Sequence, residues 1–368
     1  MFFGAGNIVF PLAMGQFAQD QNIFAIIGFL ITAVGVPFIG LISMTLFDGD
    51  YHRFFERIGK IPGFFIAFAI MGLIGPFGAM PRVIALSYST SKIFVPNISL
   101  LYFSFFSCVL IFLLTYKRQR ILDILGYVLT PLLLISLIIL IVKGISSASE
   151  PLPSGLSSSN AFFHGLQLGY NTMDLMGAFF FSSVVILCLK KELHPEGQKD
   201  FRRLITMTLK ASCLGAFLLA LVYIGSSYVA AYNSEILKSV PPDEILATLS
   251  LQILGPYAGI VAVSAVALAC LTTAIALAAV FAEYLHEDIT FEKIGYVPCL
   301  IFTLIATFLM STLNFSGIMN FLGPILIVCY PALIVLSVVN LMYKLYGFKL
   351  VLLPVGVVFI LSLIVYWI

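Results

Sequence analysis

Apolar runs of about twenty residues recur along the whole chain, and the short segments between them hold most of the charge. A helix rises about 1.5 Å per residue, so about 20 apolar residues cross the roughly 30 Å hydrocarbon layer of a membrane. The runs predict helical spans at 1–14, 22–47, 62–88, 98–115, 121–143, 165–189, 211–232, 254–283, 295–313, 317–343 and 350–368. Barrel strands would instead alternate polar and apolar positions over about ten residues. Residues 294–343 carry no charge yet are long enough for two spans, and Asn314, Phe315, Ser316 and Gly317 mark a break between them. The first run, with Gly4, Gly6 and Pro11, is too short to cross. It is no signal peptide either, because the first basic residue is Arg53.

The 368 residues are 61% hydrophobic and 10% charged, against about 25% charged in soluble domains. Such a chain cannot dress a water-facing surface, and it reads as an all-α integral membrane protein embedded in a lipid bilayer. Nineteen Lys and Arg against seventeen Asp and Glu leave a net charge of +2, which excludes a basic nucleic-acid binder. Alternating the loops across the membrane places fifteen Lys and Arg on one side and three on the other. That bias assigns the basic loops to the cytoplasm. Residue 1 then lies within the membrane heading outward, and the C-terminus lies outside.

Loop 144–164, with Pro151, Pro153, Gly155 and the Ser157–Ser159 run, divides the first five spans from the next five. It reads as a linker between two structural repeats, 1–143 and 165–343, with 350–368 as an additional helix; a plain surface loop has the same composition. The six cysteines all fall inside apolar runs and the four histidines are scattered. Nothing points to a disulfide framework, a metal centre or soluble-type catalysis.

Four clusters carry chemistry. Gly4-Ala5-Gly6-Asn7 places two glycines and an amide at membrane depth, as in an unwound helix whose next half begins near Ala5. The free N–H groups of that half favour a carboxylate, and the carbonyls before it suit a cation or an ammonium. Close packing of small residues against a neighbour explains the glycines equally well. Gly169-Tyr170-Asn171-Thr172-Met173-Asp174 reads as a second discontinuous helix, opening the second block of spans as the first cluster opens the first. An Asp at mid-membrane costs about 2.5–3.5 kcal/mol to insert, so it needs a partner, a wet cavity or a helix end to cap.

Gly75-Pro76-Phe77-Gly78-Ala79-Met80-Pro81-Arg82 ends in an arginine about twenty residues from the basic side. Arg82 either snorkels to the outer interface, pairs with Asp174 or contributes to a gate. Ala269-Cys270-Leu271-Thr272-Thr273 offers adjacent hydroxyls and a carbonyl one turn earlier, hard ligands for a small cation. Threonines also bond their own helix carbonyls and pack well, so this pattern alone is ambiguous.

Together, in order and spacing over almost the whole chain, these clusters resemble the bacterial branched-chain amino acid:cation symporters. The resemblance implies a LeuT-like fold of two inverted five-helix repeats within the APC superfamily, here about eleven spans with the first partial. It also implies import of leucine, isoleucine and valine with sodium, or protons, across the bacterial inner membrane. Substrate would then be bound by Gly4, Ala5, Gly6, Asn7, Gly169, Tyr170, Asn171, Thr172 and Asp174. Sodium would be held by the Thr272 and Thr273 hydroxyls with the carbonyls of Ala269 and Phe3. The coupling ion is the only cofactor implied, and no obligatory protein partner.

Two departures stand out. The first half of helix one, before Met1, and the family's usual twelfth span are absent from this sequence. A charged α-amino group at mid-membrane is expensive, which predicts that the functional protein begins upstream of Met1. A symporter for another apolar or aromatic amino acid is the nearest alternative. An intramembrane enzyme would need a nucleophile, acid and base at depth, where only Arg82 and Asp174 ionise; a channel would need rings of ligands.

Overall fold

The computed structural model describes residues 4–92, 94, 96–116, 121–147, 150–193 and 201–367. Met1 and Phe3, the expected second carbonyl ligand, lie outside the described residues. Among the described residues every regular element is helical, and five continuous helical runs are long and apolar enough to cross a membrane.

Helix α1 (Ala5–Ala18) starts from Gly4 in extended conformation, and the Gly4 N–H donates to Asn7 Oδ1 at 3.0 Å. It ends at Gln19 (φ 47), where the chain turns into α2 (Asn22–Leu30). A π-helical turn, Ile31–Gly35, leads on to α3 (Val36–Leu46). Short α4 (Tyr51–Phe55) precedes α5 (Lys60–Ile74) and α6 (Ala79–Ser91). The span expected at 62–88 is therefore two half-helices. Pro76 has no N–H to donate and disfavours helical backbone at Gly75, whose φ of −91 and ψ of −125 end α5.

Then follow α7 (Leu100–Thr115) and α8 (Ile121–Ser146). Helix α9 (Ser158–Tyr170) is separated from α10 (Asp174–Leu193) by residues 171–173. Met173 sits there at φ 60, in the left-handed region that a side chain rarely adopts. The sixth span is thus discontinuous where Gly169–Asp174 suggested. The segment between α8 and α9 is shorter than the expected linker 144–164, because α8 runs on to Ser146 and Ser157 accepts from Asn160 N–H to cap α9 earlier.

Helix α11 (Phe201–Tyr232) starts ten residues before the expected 211, since a helix can continue through polar sequence once past the hydrocarbon. Beyond α12 (Ser234–Leu237) comes α13 (Ile245–Tyr284), kinked at Gly255 with φ 81 and ψ 174. Helices α14 (Tyr296–Ser311) and α15 (Asn314–Tyr346) divide the charge-free stretch at Thr312 and Leu313, just before the expected Asn314–Gly317. Helix α16 (Leu352–Trp367) closes the order and packs on α15.

In the bundle α1 lies on α11, α2 on α9, and α3 on α10 and α15. Helix α13 is central, touching α1, α6, α7, α8 and α14. The α2–α9 contact is backbone against backbone. A side chain on Gly28 would strike the Phe162 carbonyl, and one on Gly165 the Ala25 carbonyl. Small residues here do what they do in membrane bundles generally, letting helices approach without bulk between them. Between α3, α8 and α11 an apolar cavity of about 620 Å³ opens beside Gly215 and Leu219, away from the broken helix ends.

Candidate functional site

The two helix breaks meet. Asn7, in the first turn of α1, is 3% exposed, and its Nδ2 donates to Asp174 Oδ2 at 2.7 Å. Tyr223 of α11, fully buried, donates its hydroxyl to the same oxygen at 3.2 Å and accepts a short hydrogen bond from Asn7 Nδ2. Asp174 opens α10 and is 5% exposed, so these neutral donors supply what water would have given its carboxyl. The break itself is held by Thr172, whose hydroxyl donates to the Gly169 carbonyl at 2.9 Å. Tyr330 of α15 accepts the Leu175 N–H at 3.1 Å and stacks on Tyr170 with ring centroids 4.8 Å apart. It thereby satisfies one of the first-turn N–H groups that α10 cannot satisfy internally.

Arg82 overturns the simplest of its expectations. It is 3% exposed, so it does not snorkel to the interface. Its Nη1 donates to the Asn171 carbonyl at 2.6 Å, and the guanidinium lies 5.1 Å from the Phe10 ring centroid. The guanidinium and the Asp174 carboxyl are near enough for their charges to attract, but they make no direct hydrogen-bonded pair, the Asp174 Oδ2 being turned toward Asn7 and Tyr223. The reason is placement. Helix α6 packs inside the bundle against α13 and α15, so Arg82 reaches inward to α1 and the 171–173 break instead of outward.

Thr272 and Thr273 lie on α13, and both hydroxyls donate to the Ala269 carbonyl, at 2.9 and 2.8 Å. Their proton positions are thus fixed, and the hydroxyl oxygens keep lone pairs for a cation. Thr273 Cγ2 stands 3.8 Å from where a Cβ on Gly4 would lie, so the Thr273 methyl borders the start of α1. The structure therefore brings Gly4, Gly6, Asn7, Asn171, Asp174, Arg82 and Thr273 into one neighbourhood. Tyr170 turns toward Tyr330. Tyr223, Tyr330 and Phe10 were not legible in advance; with sixteen tyrosines in the chain, nothing in their apolar runs set them apart.

Polar links tie both ends of the bundle. At the basic end, Asp288 beyond α13 accepts from Tyr51 Oη at 2.6 Å and lies 2.9 Å from His52 Nε2. At the other end, Gln16 Nε2 donates to the Leu237 and Val240 carbonyls at 2.6 and 2.8 Å. There too Lys92 pairs with Glu244 at 3.2 Å, and Ser89 donates to Asp243. The hydrogen bond to Asp288 raises the His52 pKa, with partial burial opposing it. A raised histidine pKa means the clasp is complete below about 6.5 and is lost as pH rises through the raised value. The His52 side chain is 54% exposed, so screening keeps the effect small. In an assay titrated from pH 6 to 9 on the basic side, His52→Ala should abolish a pH-dependent change in transport rate of about two- to fivefold; an identical pH profile in both proteins would refute the clasp.

With this geometry in place, comparison with known proteins decides the family. The model of the family described as branched-chain amino acid transport protein matches residues 1–366. The chain belongs to that family. Similar proteins include the branched-chain amino acid permease BrnQ of Bacillus subtilis (strain 168), 31% identical over 362 residues that cover 95% of this chain and 80% of that protein. A second is the branched-chain amino acid permease BraB of the same organism, 29% identical over 356 residues, 94% of this chain and 78% of the relative. This is a transporter family, not an enzyme family, and its member here is a multi-pass, all-α membrane protein.

Proposed function

We propose that the protein imports leucine, isoleucine and valine by alternating access, coupled to inward movement of sodium, with protons as the alternative ion. The observation that carries the reading is the junction of the two broken helices, with Asn7 bonded to Asp174 across it. Two half-helix ends facing each other give an amino acid complementary poles. The first-turn N–H groups of Ala5 and Gly6 suit its carboxylate, while Asp174 and the carbonyls around 169–171 suit its ammonium. The similarity to branched-chain amino acid permeases names the side chain.

The packing supports two inverted repeats, 1–143 and 165–343. Exchanging each helix of the first block for its counterpart in the second turns the α1–α11 contact, made by the half-helix after the first break, into the α10–α3 contact, made by the half-helix after the second. The same exchange turns α8–α13 into α15–α6, α8–α11 into α15–α3, and α7–α13 into α14–α6, all of which are present. Helices related in this way rock around a central site, and the polar links at either end of the bundle are then the closures each state breaks in turn. The Thr272 and Thr273 hydroxyls, gathered at the Ala269 carbonyl, are the sodium ligands in this reading, with basic loops in the cytoplasm of a bacterial cell. One charge moving down about 100 mV supplies about 2.3 kcal/mol, enough for roughly fiftyfold accumulation.

The test is uptake of labelled leucine into vesicles reconstituted with the protein. Uptake should saturate, be displaced by isoleucine and valine, and require an inward sodium gradient. Uptake that follows a pH gradient alone would make the proton the coupling ion; none under either gradient would refute the reading.

A further inference from the structure

A guanidinium in a protein stays protonated, and one removed from water needs a carboxylate or another anion to offset its desolvation. Arg82 is buried, and among the described residues no carboxylate forms an ion pair with it. Its Nη1 is engaged by the Asn171 carbonyl, whereas its Nε is out of contact with solvent and has no hydrogen-bond partner. Asp174 is near enough for its charge to attract the guanidinium but gives it no hydrogen bond, its Oδ2 being held by Asn7 and Tyr223, so Nε is left without an acceptor.

What does adjoin the guanidinium is the N-terminus of α1. Nη2 lies 3.0 Å from the position a Cβ on Gly6 would take, so glycine is what admits it there. The Ala5 and Gly6 N–H groups that open that helix have no intrahelical acceptor, whereas the Asn7 N–H donates to the Gly4 carbonyl at 3.1 Å. Two independent features, a buried guanidinium with an unsatisfied N–H and a helix N-terminus, therefore converge on one small region, and both favour an anion.

We propose that Arg82 receives the carboxylate of the transported amino acid, together with the N–H groups that open α1. This rests on the transport reading given above and adds its missing counter-charge. The guanidinium fork, fixed by the Asn171 carbonyl, makes Arg82 a specificity-determining residue. Substrates must carry a free carboxylate, and an amide or alcohol in its place leaves the buried charge unpaired.

The experiment compares leucine with leucinamide and leucinol, using uptake in reconstituted vesicles and the rise in melting temperature of the purified protein. The unaltered protein should prefer leucine by a hundredfold or more, on the order expected when a buried charge loses its partner. Arg82→Gln should reduce that preference to a few-fold, and Arg82→Lys, which keeps charge without the planar fork, should fall between them. If Arg82 only braces the 171–173 break, each substitution weakens all three compounds equally and leaves the preference intact. That result overturns the proposal. Should Arg82→Gln not fold, Arg82→Lys decides alone: an undiminished preference for leucine overturns it. Failure of the unaltered protein to bind leucine at all overturns the transport reading and this proposal with it.

Discussion

Replacing Asp174 with Asn is expected to cut leucine uptake by about ten- to a hundredfold while leaving the amount of protein in the membrane unchanged. Hydrogen bonds to a charged group are worth about 1.5–3 kcal/mol, and about 1.36 kcal/mol is a factor of ten. The Asp174 carboxyl accepts from Asn7 and Tyr223, which belong to α1 and α11, so a single residue joins three elements at the break. An amide of the same size fills the space and still accepts one of those bonds, which is why folding should survive. It offers no negative charge to an ammonium, which is why transport should not. The measurement is initial uptake rate normalised to protein in the membrane, with Tyr223→Phe as the companion, expected to lose less because Asn7 still holds the carboxyl. Unchanged uptake by Asp174→Asn would reduce the residue to a helix cap.

Removing the hydroxyls of Thr272 and Thr273 should move the cation dependence instead. Thr272→Ala and Thr273→Ala each delete one hydroxyl oxygen that meets the Ala269 carbonyl on α13, and alanine is the better helix former, so α13 should persist. Half-maximal activation by sodium should rise by about tenfold or more in each, with leucine affinity at saturating sodium nearly unchanged. Thr273→Ser, which keeps the oxygen, should behave as the parent. Wild-type sodium curves in both alanine variants would place the cation elsewhere.

The spans were legible because membrane insertion demands long apolar runs, and a run of that kind is unambiguous in a way that a short amphipathic strand is not. The break at 171–173 was legible too, since Gly169, Asn171 and Asp174 are costly in a continuous lipid-facing helix. The interruption at Gly75–Gly78 carried the same signal, yet the run read as one span because proline is tolerated inside membrane helices. Arg82 shows what sequence withholds. Its depth alone suggested snorkelling, but the direction of a side chain depends on which helices α6 packs against, and that is a property of the assembled bundle. Tyr223 and Tyr330 were invisible for the same reason. A tyrosine in an apolar run becomes a site residue only when a distant helix brings it a carboxyl or a free N–H.

Where leucine sits can be asked directly with a diazirine analogue of leucine, photolysed on the reconstituted protein in sodium and mapped by mass spectrometry of the peptides. The adducts should fall on residues 4–10 and 169–175, depend on sodium, and disappear with excess leucine but not with excess lysine. Leucine-displaceable adducts confined to other segments, such as the cavity beside Gly215, with none at either break, would contradict a substrate site between the two half-helices.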